Sequence, residues 1–256
     1  QCIFNNYEYT NNIMKRVARK IHALIVGYYH LLLFCLVLLF VLRPYHNDLI
    51  YVGIWKFFLS AVILSAVFNV KHNHTVRIIA SFLAFPTIIL AWLDLAYPCP
   101  LFFISNALLT AIFLFFCTCS ILFDVVLRAK VTLETLRGVI CAYFMISFAF
   151  AYSYYLAEFL FPGSFNLIGE NASIYDYSHY FSQLLYFSFV TLLTIGYGDI
   201  TPLKSAGQTL TVIEGTIGQF YIAILVARLV SVYSFYSDKR VLDLFDQAFK
   251  DKKDAN

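Results

Sequence analysis

Long apolar runs separated by short polar breaks dominate the chain, and nowhere is there a strand-like alternation of apolar and polar positions. By the length rule for crossing a hydrocarbon core of about 30 Å, the runs predict membrane-spanning helices over His22–Leu42, Leu49–Val70, Val76–Tyr97, Leu101–Leu127 and Leu136–Leu160. A further span is predicted over about Ala206–Tyr233. Between the last two lies a shorter apolar stretch, ending in Thr194-Ile195-Gly196-Tyr197-Gly198-Asp199 and followed at once by Ile200-Thr201-Pro202. The expected fold class is therefore an all-α integral membrane protein with six transmembrane helices.

Charge sets the orientation of these spans. Lys15, Arg16, Arg19, Lys20, Lys71, Arg77, Arg128, Lys130 and Arg137 fall on one side, as do Lys239, Arg240, Lys250, Lys252 and Lys253. Only Arg43 and Lys204 fall in loops on the other. The positive-inside rule then puts both termini in the cytoplasm, in a plasma membrane or bacterial inner membrane, with Asp199 facing outward. The basic cluster before His22 looks superficially like a secretory leader, but the run after it is too long for an h-region and lacks a small-residue cleavage site. The chain does not begin with Met, and Met14 is a candidate natural start, so whether Gln1–Ile13 belongs to the native chain is left open.

Composition agrees with the pattern: of 256 residues 61% are hydrophobic and 13% charged, and the mean hydropathy of +0.75 lies outside the soluble range. The net charge of +3 carries no case for nucleic-acid binding. No catalytic nucleophile is paired with an obvious base, and no phosphate-binding Gly loop precedes a helix, so an enzyme is not expected. Six cysteines are scattered without a disulfide framework or zinc pattern. His72-Asn73-His74 sits in a short basic loop with no carboxylate or Cys nearby in sequence, a poor metal site.

The stretch Thr194–Asp199 is different. Its flanks cross a bilayer, so it is non-helical backbone at membrane depth, tolerated only when buried in protein or lining a watery path. Glycines at alternate positions can take positive φ, which turns successive carbonyls the same way. Several copies around an axis would replace the water shell of a monovalent cation, with the Thr194 hydroxyl adding an oxygen at the inner end.

These residues resemble the selectivity filter of potassium channels, and the resemblance extends over about a quarter of the chain, from Phe181 to about Tyr236. It implies a re-entrant pore helix over Leu185–Leu192, and a filter in which Thr194, Ile195, Gly196, Tyr197 and Gly198 coordinate K+, the permeant ion. Asp199 would fix and charge the outer mouth. Gly207 and Gly218 fall where the family's inner helix often has glycines, Gly218 at the position treated as a gating hinge. Leu193 stands where many members carry a second Thr, and its side chain is expected to pack behind the filter. One filter per chain cannot close a ring, so a homotetramer in the lipid bilayer is implied. The chain then divides into a cytoplasmic segment (1–20), a four-helix membrane domain (21–127), a pore domain (128–236) and a short cytoplasmic tail (237–256).

Other features add detail. The fourth span carries no Arg or Lys, so strong voltage gating is not expected. Lys56 and Asp94 lie at similar depths and are candidates for pairing. Glu158, Glu170, Asp176 and Asp199 predict an acidic outer rim; Asn171-Ala172-Ser173 fits a glycosylation sequon. On the last span Gln219, Ile222, Ala223, Val226 and Val230 recur at helical spacing, as either cavity lining or packing. Glu214 is expected to hydrogen-bond behind the pore helix, and Arg228 to anchor at the inner interface. Val241, Leu242, Leu244 and Phe245 form a possible amphipathic turn in a tail too short for a ligand-binding domain. A gating ligand or partner is not legible. The competing functions are a non-conducting sensor or regulatory subunit, an ion-coupled transporter subunit, and a cation channel of poor selectivity.

Overall fold

The computed structural model describes residues 28–42, 49–69, 74–97, 99–127, 133–167 and 177–228. The basic N-terminal cluster, Arg43, Lys71, His72, Asn73, Arg128, Lys130, Glu170, Asn171-Ala172-Ser173, Asp176, Val230 and the tail lie outside them.

The elements follow the apolar runs. In order they are α1 (Tyr28–Val41), α2 (Leu49–Asn69), α3 (His74–Ala96), α4 (Pro100–Leu127), α5 (Leu133–Leu160), β1 (Phe165–Asn166), α6 (Tyr177–Leu192), β2 (Thr201–Pro202) and α7 (Ser205–Arg228). Among the described residues five helices, α2 to α5 and α7, are long and apolar enough to cross a membrane. The described part of α1 has 14 residues, about 21 Å at 1.5 Å per residue, shorter than the core it would cross. Polar side chains within the helices bond their own backbone four residues back, which lowers the cost of hydroxyls in an apolar setting. Ser60 donates to Lys56 O, Thr87 to Leu83 O and Ser153 to Ala149 O.

Packing makes α5 the hub. The chain runs α1 on α2, α2 on α3, α3 on α4 and α4 on α5, while α1 and α6 also pack on α5. In α5, 72% of the apolar window is buried, against 11% in α7, so the last helix keeps most of its surface outside the single-chain core. Aromatic contacts tie the first helices to α6: Phe40 of α1 stacks on Phe189 at 4.6 Å and Trp55 of α2 on Phe181 at 5.3 Å between ring centroids.

Lys56 and Asp94 do pair. Lys56 Nζ donates to Asp94 Oδ2 at 2.6 Å, with 9% and 5% of the two side chains exposed. Removing one partner leaves the other charge buried alone, which costs about 3–5 kcal/mol in protein interiors. Lys56→Met is therefore expected to lower the thermal midpoint well below that of the double variant Lys56→Met/Asp94→Leu, in which neither charge is left. Equal destabilisation of the two proteins would show that the ion pair is not what holds α2 against α3.

Candidate functional site

Local backbone chemistry builds the site. At the end of α6, Leu193 N donates to Phe189 O and Thr194 N to Thr191 O, both at 2.9 Å. Ile195 N then reaches back to Val190 O at 2.9 Å, and Gly196 N to the same carbonyl at 3.4 Å. The helix thus turns into an extended segment whose first amides remain tied to its last turn.

Beyond that point the backbone alternates. Thr194, Gly196 and Gly198 have φ of 58°, 60° and 77°. Thr194 is the sole non-glycine with positive φ among the described residues, a conformation that costs an L-residue about 1–2 kcal/mol. Positive φ at every second residue turns successive carbonyls towards one side, the arrangement anticipated for the two glycines. The third member, Thr194, was not anticipated, because residue type alone gives no sign of it. A Cβ built on Gly196 or Gly198 meets nothing within 4 Å on the single chain, so the demand for glycine there is one of dihedral angle and not of space.

The outer end is held by Asp199. Its Oδ1 accepts from Ile200 N at 3.0 Å and its Oδ2 from the Tyr186 hydroxyl of α6 at 2.7 Å. Tyr186 was missed by sequence reasoning; thirteen residues separate the partners, and no helical period links them. Behind the stretch, β1 pairs antiparallel with β2, Phe165 opposite Pro202 and Asn166 opposite Thr201. Leu203 N donates to Ser164 O at 2.7 Å, and Lys204 Nζ donates to Pro162 O. Loss of the Tyr186 hydroxyl removes one of the two bonds fixing Asp199. Tyr186→Phe is expected to lose about 1.5–3 kcal/mol of local stabilisation, the worth of a hydrogen bond to a charged group. Hydrogen exchange at the Ile200 amide reports it directly: exchange no faster than in the parent would contradict the clamp.

Glu158, one of the acids expected at the outer rim, also caps a turn: Oε1 accepts from Gly163 N at 2.7 Å and Oε2 from Phe165 N at 3.0 Å, which fixes the exit from α5. Leu193 is 46% exposed on the single chain, as Ile195 nearby is at 47%.

The last helix meets α6 closely. A Cβ on Gly218 would stand 2.5 Å from Leu192 O, and the Tyr143 hydroxyl of α5 donates to that same oxygen at 2.9 Å. A Cβ on Gly207 would likewise stand 3.0 Å from Ser164 O. Glu214, fully buried, contacts the Ser188 and Tyr154 hydroxyls behind α6, as its position in the last span predicts. Gln219, Ile222, Ala223 and Val226 are exposed on the single chain together with Ile195 and Tyr197, and Arg228 is half-buried at the end of the described part of α7.

Comparison with known proteins bears on this region. Residues 139–235, from α5 through α7, match the protein-family model described as "Ion channel". A 63-residue segment is 36% identical to "Two-pore potassium channel 4" of Arabidopsis thaliana; it spans 25% of this chain and 22% of that protein. No solved structure matches. The match over residues 139–235 and the five long apolar helices support an ion channel in a membrane and not an enzyme.

Proposed function

We propose that the chain is a potassium-selective channel that conducts K+ passively down its gradient through a filter formed by Thr194, Ile195, Gly196, Tyr197 and Gly198. The observation that carries this reading is the alternation of positive φ at 194, 196 and 198, which would turn backbone oxygens to one side as a dehydrated monovalent cation requires. Potassium, as the ion, is supported by the likeness of a quarter of the chain to a protein named as a potassium channel.

A single chain supplies a single column of carbonyls, and a cation needs oxygens all round it. Four copies about an axis close the ring. The exposed surface of α7 supports this reading: Gln219, Ile222, Ala223 and Val226 would line the cavity below the filter, with Gly218 as a candidate hinge above them. α6, ending at the filter, would direct the negative end of its dipole towards the ion path. The filter's Asp199 end would face outward and the termini inward. Because α4 holds no Arg or Lys, a membrane potential has little charge to act on there, and the first four helices are assigned a task other than strong voltage sensing.

The test is flux in liposomes containing the purified protein, potassium against sodium, with barium as blocker. Potassium-selective, barium-sensitive flux supports the reading. Concentrative uptake that needs a cytoplasmic partner would replace it with the transporter subunit. No flux from well-assembled protein, even with the inner half of α7 cut back to remove a gate, would leave a non-conducting sensor.

A further inference from the structure

The cluster behind α6 draws hydroxyls from three helices onto one carboxyl group. Glu214 of α7 contacts Tyr154 of α5 through Oε2 and Ser188 of α6 through Oε1. Ser188 Oγ also lies 2.8 Å from Ser147 O and 2.9 Å from Ser147 Oγ, both on α5. Glu214, Ser188 and Ser147 are each fully buried.

Each of these four contacts needs one proton between its two oxygens. The Tyr154, Ser188 and Ser147 hydroxyls supply one each, and Ser147 O, a backbone carbonyl, supplies none. If Glu214 is ionised, Ser188 gives its proton to the carboxylate. Its Oγ then faces Ser147 O at 2.8 Å with no proton between them, a repulsive pair of acceptors in a dry setting. If Glu214 carries a proton, every contact closes. Tyr154 donates to Oε2, the carboxyl O–H donates to Ser188 Oγ, Ser188 donates to Ser147 O, and Ser147 donates to the remaining lone pair of Ser188. Among the described residues the Tyr143 hydroxyl, also on α5, is a further ionisable group near Glu214. The partners recorded for the carboxyl are hydroxyls, and none brings a positive charge to offset an ionised form.

We propose that Glu214 works as a neutral carboxylic acid, a positioning residue that latches α6 to α5 and α7 and so holds the filter stretch at the end of α6. Its consequence for conduction rests on the channel reading; the protonation state does not.

Glu214→Gln discriminates, because an amide also offers one donor and one acceptor at these two positions. The experiment is infrared difference spectroscopy of the full chain in lipid nanodiscs, parent minus Glu214→Gln, with thermal midpoints of the parent and the variants at neutral pH. The expected result is a protonated-carboxyl C=O stretching band at neutral pH that the variant lacks. The variant's midpoint stays close to that of the parent, whereas Glu214→Ala and Ser188→Ala lie lower by about 5 °C. Absence of the acid band at neutral pH, or a Glu214→Gln variant as unstable as Glu214→Ala, overturns the proposal. If Glu214→Ala does not fold, the band and the Ser188→Ala midpoint still decide. An acid band in a protein that carries no potassium flux would overturn the conduction reading and leave the latch standing.

Discussion

Gly198→Ala is expected to abolish selective potassium flux while leaving the protein assembled. Gly198 has φ of 77°, and an alanine held there is strained by about 1–2 kcal/mol in each chain. Four chains about one axis would carry about 4–8 kcal/mol, more than enough to tip the filter into another backbone arrangement. Because a Cβ at this position has open space around it within the chain, the methyl relaxes by rotating φ out of the left-handed region. That rotation swings the adjoining carbonyl off the ion path. The Asp199 clamp and the β1–β2 pairing, which lie beyond the residue, have no reason to come apart. Gly196→Ala, with φ of 60° and the same open surroundings, is expected to behave alike. Potassium and sodium flux measured in liposomes with equal protein content checks this. Flux from Gly198→Ala with the parent's rate and potassium preference would show that positive φ at 198 is not needed for conduction, and with it the filter reading would fall.

Five of the expected spans and the positive φ of Gly196 and Gly198 were legible because each depends on local composition: an apolar run long enough to cross a bilayer, and glycines at alternate positions in a place where backbone is not helical. What sequence reading missed depends on pairs that no helical or strand period links. Tyr186 looks like one more aromatic on an apolar helix until its hydroxyl is found on Asp199. Glu158 reads as a surface acid near a loop, and only the turn at Pro162-Gly163 bends two backbone amides onto its carboxylate. Glu214 was placed behind the pore helix because its depth in the last span excludes free solvent. Its partners, 60 and 26 residues away, follow no period and could not be named. Thr194 shows the opposite failure. A positive φ on a β-branched residue is disfavoured locally, and it persists because the amides of Thr194 and Ile195 are already committed to Thr191 and Val190.

Gly218→Ala is expected to destabilise the chain by about 1–3 kcal/mol and to lower flux, through packing and not through a lost hinge. A Cβ at 218 would meet Leu192 O at 2.5 Å, Leu192 Cδ1 at 3.1 Å and the Leu192 carbonyl carbon at 3.3 Å. The nearest of these atoms is backbone at the end of α6, and its oxygen is already fixed by the Tyr143 hydroxyl, so it cannot swing aside as a flexible side chain would. Either α7 moves away, which pulls Glu214 from Ser188 and Tyr154, or the end of α6 moves into the filter stretch. Gly215 supplies the internal control. It lies on the same helix three residues earlier, with nothing within 4 Å of a built Cβ, so within the chain Gly215→Ala should gain the roughly 0.5–1 kcal/mol that alanine holds over glycine in a helix. Thermal midpoints of the two variants separate the explanations. A hinge role alone predicts altered opening with an unchanged or raised midpoint in Gly218→Ala, since the helix itself is stiffened. Close packing against Leu192 predicts a lowered midpoint for Gly218→Ala beside an unchanged or raised one for Gly215→Ala. Loss of flux together with loss of stability at 218 alone would place the tight contact between α7 and the end of α6 among the elements that hold the proposed conduction path.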